Sequence, residues 1–167
     1  MKDLAPENSI ESISKAFELG LECVEIDVKI SKDNIPLLIH DDTLDRTTSG
    51  SGLVSNFTFD EISHLDAGYF FYKSKSTVRV PSLNKVLEEI NNKNKSINIE
   101  LKPNKGLEKI NVDKIVDEIK NFSLENNLKF LYKFISLKYT IFDKKRTMNK
   151  KTIMFNNLDL SCSYFIQ

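Results

Sequence analysis

The chain has 167 residues, a length that suits one domain with a buried core. Its 24 basic and 24 acidic side chains cancel and leave no basic stripe, so nucleic acid is not an indicated partner. No apolar run is long enough to cross a bilayer, residues 1–20 lack the basic start and apolar centre of a signal peptide, and two cysteines are too few for a disulfide framework. The expectation is a soluble protein, cytoplasmic by default.

Ala5-Pro6-Glu7-Asn8 leads into a helix in which Asn8 and Glu11 have the spacing of a capping box. Ile10, Ile13, Ala16 and Phe17 share one apolar face, and Gly20 is placed to end the helix. A strand follows almost at once. Val24, Ile26, Val28 and Ile30 alternate with Glu25, Asp27 and Lys29, the period of two of extended chain. Cys23 at its start reads as a small buried hydrophobe. Glu25 and Asp27 fall on one side, their Cα atoms roughly 6.5–7 Å apart at strand rise. Two readings of that acid pair stand: a hard divalent cation such as Mg²⁺ or Ca²⁺ held between them, or a solvated face on which Lys29 neutralises one acid. Lys32-Asp33-Asn34 supplies turn chemistry, so Ile35 to Ile39 folds back as a hairpin partner. The return ends in His40-Asp41-Asp42 at a strand end. A histidine there is either a catalyst or a loop-end hydrogen-bonding group.

Residues 43 to 80 lack a regular period. Ser49-Gly50-Ser51-Gly52 is a loop, and Thr58 with Glu61 caps a short helix through Leu65. His64 on that helix reads as a surface or packing residue. Tyr69-Phe70-Phe71-Tyr72 forms an aromatic cluster, either local core or the lining of a groove. Ser82 is a helix cap, followed by Leu83, Val86, Leu87 and Ile90 at helical spacing. In Ser96 to Lys102, Ile97, Ile99 and Leu101 alternate with Asn98, Glu100 and Lys102, and Pro103 stops the run. Taken in isolation this is a solvated edge strand. Asn111 is placed to cap a helix with Val112, Ile115, Val116 and Ile119 on its buried face. Lys129 to Ile135 reads as a strand, the basic stretch Lys144 to Lys151 as a solvated helix end, and Lys151 to Phe155 as a last short strand. Without an internal repeat or linker, residues 1–167 form a single domain of α/β class, in which helices feed directly into strands.

The segments APENS, ELGLECVEIDV, KDNIPLLIHDDTLDRTTSGSG, VPSL and INIELK, in that order, resemble the glycerophosphodiester phosphodiesterase family over about residues 4–103. The resemblance implies a TIM-type (β/α)₈ barrel, for which about 250 residues is typical. It implies metal-dependent hydrolysis of a small-molecule glycerophosphodiester to an alcohol and glycerol 3-phosphate. By the same resemblance Glu25, Asp27 and Glu100 are the metal ligands, Lys102 the phosphate-facing cation and His40 the second catalytic histidine. Asp41 orients the loop around His40, Arg46 also resembles a family position but is not counted among the site residues, and Glu7 and Asn8 fix the entry to the first helix. Residues 43–80 become an insertion over the barrel mouth. The family carries a strand ending in His-Arg-Gly just before the APEN segment, and further strands beyond the equivalent of residue 155. The chain therefore reads as an incomplete barrel lacking the first catalytic histidine, with open strand edges that invite self-association. The alternative function is a catalytically dead remnant, or a module that binds metal or phosphate without turnover.

Overall fold

Strand alternation and helix capping produce a sheet with helices on one of its faces. A computed structural model describes residues 4–126 and the strands Ser136–Phe142, Met148–Met154 and Ser163–Phe165. The elements run α1 (Ile10–Glu18), β1 (Cys23–Ile30), β2 (Pro36–Leu38), α2 (Phe59–Ser63), α3 (Tyr69–Tyr72), α4 (Leu83–Asn92), β3 (Ser96–Leu101), α5 (Glu108–Glu125), β4 (Ser136–Phe142), β5 (Met148–Met154) and β6 (Ser163–Phe165). The sheet order is β2-β1-β3-β4-β5-β6. β1, β3 and β4 are parallel neighbours, β2 returns antiparallel along the end of β1, and β5 and β6 are antiparallel additions.

The apolar residues of β1 and β3 face the helices. Ile26, Val28, Ile30, Ile97, Ile99 and Leu101 join Ile13 and Phe17 of α1, the Leu83/Val86/Leu87/Ile90 face of α4, and Ile115, Val116, Ile119 and Phe122 of α5 in one buried cluster. Period-two and period-3.6 patterns thus meet in one core. Truncating a fully buried member such as Leu87 to alanine costs about 2–5 kcal/mol. The opposite sides of the same strands are thereby committed to Glu25, Asp27 and Lys29, and to Asn98, Glu100 and Lys102. β3 is an interior strand, not the edge strand its polar alternation suggests, because β1 and β4 flank it.

Several local expectations are corrected. The cap of α1 is Ser9: its side chain accepts from the Ser12 amide, and the Ser12 hydroxyl closes the box. Asn8 lies one residue earlier, at φ +53°, with its side chain directed elsewhere. Gly20 ends the helix as expected, at φ +87° where a side chain would be strained. α2 stops at Ser63 rather than Leu65, with the Thr58–Glu61 box formed. α5 begins at Glu108, three residues before Asn111, which is buried in the first turn and donates to the Leu107 carbonyl. Cys23 is exposed because it shares the cleft-facing side of β1 with Glu25 and Asp27 instead of the core side. None of the four aromatic residues in α3 is buried.

The 43–80 segment has its own small core. Leu37, Ile39, Leu44, Val54, Ile62 and Val80 pack together beneath it. Buried Asp66 ties it from within, accepting from the Gly68 amide and from the amide and hydroxyl of Ser76. Near the C-terminus, the expected strand 129–135 lies outside the described residues, as do 144–147. Residues 148–151 belong to β5, so that part of the basic stretch is strand and not helix end; β5 also accounts for the expected strand at 151–154. The sequence pattern marks neither β4 nor β6.

Candidate metal and phosphate site

Parallel pairing of β1 with β3 sets the site. The register places Asp27 opposite Glu100 and Glu25 opposite Asn98. Residues on one side of adjacent strands point the same way, so two acids from β1 and one from β3 converge. One carboxylate oxygen from each of Glu25, Asp27 and Glu100 lies within 4.8 Å of the others. Crowding alters the acids. Burial, then the charges of Asp27 and Glu100 and a hydrogen bond with Glu100, raise the Glu25 pKa despite nearby Lys102.

Lys102 supplies the counter-charge. Its Nζ lies 2.8 Å from Glu100 and 3.4 Å from Asp27. Partial burial pushes its pKa down. The hydrogen bond to Glu100 and the charges of both acids outweigh that, and the net shift is upward, so the ammonium form is reinforced. Lys29 does not neutralise the acid pair: it turns instead to Asp42, at 2.6 Å.

His40 stands at the end of the β2 return. Its Nδ1 is 2.8 Å from Asp41 Oδ1. A carboxylate only accepts, so Nδ1 carries the proton of that bond and Nε2 is left with the lone pair in the neutral ring. Asp41 is held in turn by Arg46, whose Nε and Nη2 donate to it at 2.6 and 3.0 Å. The same guanidinium donates to both oxygens of Glu7, at 2.9 and 2.7 Å. The Arg46 hydrogen bond, followed by that of His40, brings the Asp41 pKa down to about 2 against the opposing effect of burial. Hydrogen bonds to Glu7 and then Asp41 push the Arg46 pKa further up.

All five residues expected to form the site line one cleft of about 660 Å³. Asn8 and Arg46 line it too. Asn8 Nδ2 donates to Asp27 Oδ2 at 3.1 Å, and the Asp27 amide donates to Asn8 Oδ1 at 3.0 Å. Asn8 therefore acts on the cluster rather than on the helix. The signal for this lay in the sequence: Asn tolerates the left-handed region, and Ser9 beside it is an equally good cap. His64 is remote in character, an exposed residue at the end of α2 with Nδ1 2.7 Å from the Asp60 carbonyl.

The donor set can be tested against the cation that the resemblance implies. It is all carboxylate oxygen, without thiol or imidazole, and so fits a hard divalent ion rather than a thiolate- or imidazole-seeking one. Among the described residues Asn98 Oδ1 is buried without a hydrogen-bond partner, one step down β3 from Glu100. In the strand register it stands beside Glu25.

A parallel β1-β3-β4 centre, helices on the apolar face and acids on the other place the chain in the TIM-barrel type of α/β fold. The chain belongs to the glycerophosphoryl diester phosphodiesterase family, which it matches over residues 1–157. It is 40% identical over 123 residues to the glycerophosphodiester phosphodiesterase of Caldanaerobacter subterraneus subsp. tengcongensis, covering 74% of this chain and 51% of that protein. It is 34% identical over 128 residues to the enzyme of that name from Bacillus altitudinis, again covering 74% and 51%. The solved structure of an Oleispira antarctica phosphodiesterase in complex with the product sn-glycerol-3-phosphate superimposes with a TM-score of 0.69 at 34% identity, covering 81% of this chain and 61% of that one. The glycerophosphodiester phosphodiesterase of Agrobacterium tumefaciens gives 0.65 at 29% identity, covering 86% and 55%. The chain thus spans about half the length of the curated relatives it matches. No helix among the described residues is long and apolar enough to cross a membrane.

Proposed function

We propose that this chain carries the metal and phosphate half-site of a glycerophosphodiester hydrolase, whose products are an alcohol and glycerol 3-phosphate. The observation that carries the reading is the convergence of Glu25, Asp27 and Glu100 around Lys102, in one cleft with His40. Glu25, Asp27 and Glu100 would hold Mg²⁺ or Ca²⁺, which supplies electrophilic stabilisation of the non-bridging phosphoryl oxygens. Lys102 binds the same anionic group from the β3 side and neutralises charge that grows during displacement. His40 moves a proton at Nε2, as acceptor from an attacking hydroxyl or as donor to a leaving alkoxide. Asp41 stays ionised at neutral pH and orients the ring. Arg46 holds Asp41 in place and links it to Glu7.

The incomplete barrel belongs to the same proposal. Its support is the span of about half the length of the relatives, and the cytoplasmic setting is proposed with it. The test is a metal titration and an assay on the full-length protein. Binding of Mg²⁺ or Ca²⁺ should tighten as pH rises through the range where Glu25 ionises, because a raised carboxylate pKa means a proton competes with the ion. His40→Ala should cut hydrolysis of glycerophosphocholine at least 100-fold while leaving metal binding within about threefold. Metal binding without any hydrolysis by the wild type would replace this reading with that of a binding module.

A further inference from the structure

We propose that Lys29 and Asp42 form a brace that positions His40 and Lys102 relative to one another. The inference rests on the functional reading above only for what the brace serves; the brace itself is a matter of geometry. Lys29 is 2% exposed and heads the fully buried large side chains among the described residues. An ammonium is strongly disfavoured in the interior unless it is paired and hydrogen-bonded. A methionine or leucine would fill the same volume without that penalty, so the placement calls for a reason.

The hydrogen bonds supply one. Lys29 Nζ donates to Asp42 Oδ1 at 2.6 Å and to the Lys102 main-chain carbonyl at 2.8 Å. The Lys102 amide already donates to the Val28 carbonyl at 2.9 Å. Both backbone groups of Lys102 are therefore fixed by consecutive residues of β1. On the other branch, the Ile39 amide donates to the Asp27 carbonyl at 3.1 Å, and the Asp42 carbonyl accepts from Val54 at 3.0 Å. His40 and Asp41 form a two-residue ledge between these anchors, and Lys29 clamps its far end. One buried cation thus ties together the two loops that carry the proposed proton carrier and the proposed phosphate-binding cation. Lys29 and Asp42 are positioning residues: neither lines the cleft.

Asp42 is the place to test this, because its side chain is 66% exposed and its replacement leaves the core packed. In full-length protein, Asp42→Asn should broaden or shift the His40 ring resonances, assigned with a His40→Gln variant, and leave those of His64 unmoved. It should lower kcat at least tenfold with KM changed less than threefold, and Asp42→Glu should restore part of the loss. Lys29→Met should give the same phenotype, and the double variant should be no worse than either single one. Unmoved His40 resonances in Asp42→Asn overturn the proposal, as does full kcat in that variant when the wild type is active. If the wild type hydrolyses no glycerophosphodiester, the functional reading fails, and the His40 resonances alone still decide whether the brace exists.

Discussion

Asn8 grips Asp27 twice, through the side-chain carboxylate at 3.1 Å and through the backbone amide at 3.0 Å. The second contact matters for the sheet. Beyond Val28 the β2 partner ends, and the Asp27 amide points to the side that β2 no longer covers. Asn8 stands in for the absent strand neighbour at that position. It also fixes which Asp27 oxygen faces the cluster, since Oδ2 is occupied by Asn8 while Oδ1 faces Lys102.

Asn8→Ala should therefore weaken the site more than the fold. Leaving the Asp27 amide and carboxylate without this partner costs about 1–3 kcal/mol, and alanine is also poorly suited to φ +53°. A partner that orients a metal ligand affects affinity by roughly 10–100-fold when lost. Calorimetric titration with Mg²⁺ or Ca²⁺ should show a loss in that range. Asn8→Asp should be worse still, since it sets a fourth carboxylate against Asp27. Equal affinity in wild type and Asn8→Ala would show that Asp27 needs no such hold.

Lys102→Met should change two affinities in opposite directions. The ammonium now sits between Asp27 and Glu100, where an incoming cation must displace or repel it. Without it, divalent ion binding should tighten by several-fold, and the ion-free protein should lose stability because three crowded carboxylates lack a counter-charge. Binding of inorganic phosphate or glycerol 3-phosphate should weaken by tenfold or more, because a charge-assisted hydrogen bond to the anion is gone. Parallel calorimetry with the cation and the anion checks both signs. A variant that loses affinity for both would mean that Lys102 shapes the site without competing for it.

The α/β class, the core and the polar faces of β1 and β3 were legible because each rests on a local period. Ile26, Val28 and Ile30, and Ile97, Ile99 and Leu101, alternate strictly, and the capped stretches at Thr58 and Ser82 began where their side chains allowed. The meeting of Asp27 with Glu100 is not local. It depends on a parallel register between segments 73 residues apart, and only the family resemblance suggested it. Asn8 is not the cap that its spacing suggests: Asn8/Glu11 fits the ideal capping box better than Ser9/Ser12, while the competing bond to Asp27 is long-range. Lys29 was legible as a residue on the acid face but not as the partner of Asp42. Toward the C-terminus the run KFLYKFISLKYTIF holds no glycine, proline or turn pair, so nothing fixed where a strand should start; β4 begins at Ser136.

Arg46 should govern the acid limb of stability. Asp41 has its pKa lowered to about 2 in the fold, chiefly by the Arg46 hydrogen bond, against an ordinary value near 3.9 in the unfolded chain. A depressed carboxylate stabilises the fold at pH values above its unfolded pKa, and that contribution disappears as pH falls through the folded value. Arg46→Ala returns Asp41 toward the ordinary range and also releases Glu7 from its two hydrogen bonds. The difference in stability between wild type and Arg46→Ala should then be level above about pH 5, shrink between about pH 4 and 2, and be nearly gone below that window. Urea unfolding at pH 7, 4 and 3 measures it. A difference that stays constant down to pH 3 would place the value of Arg46 in packing rather than in its charge. The His40 ring should follow the same variant: once Asp41 swings free of the guanidinium, its 2.8 Å bond to Nδ1 no longer has a fixed acceptor, and kcat should fall while metal affinity, set by Glu25, Asp27 and Glu100, stays within about threefold.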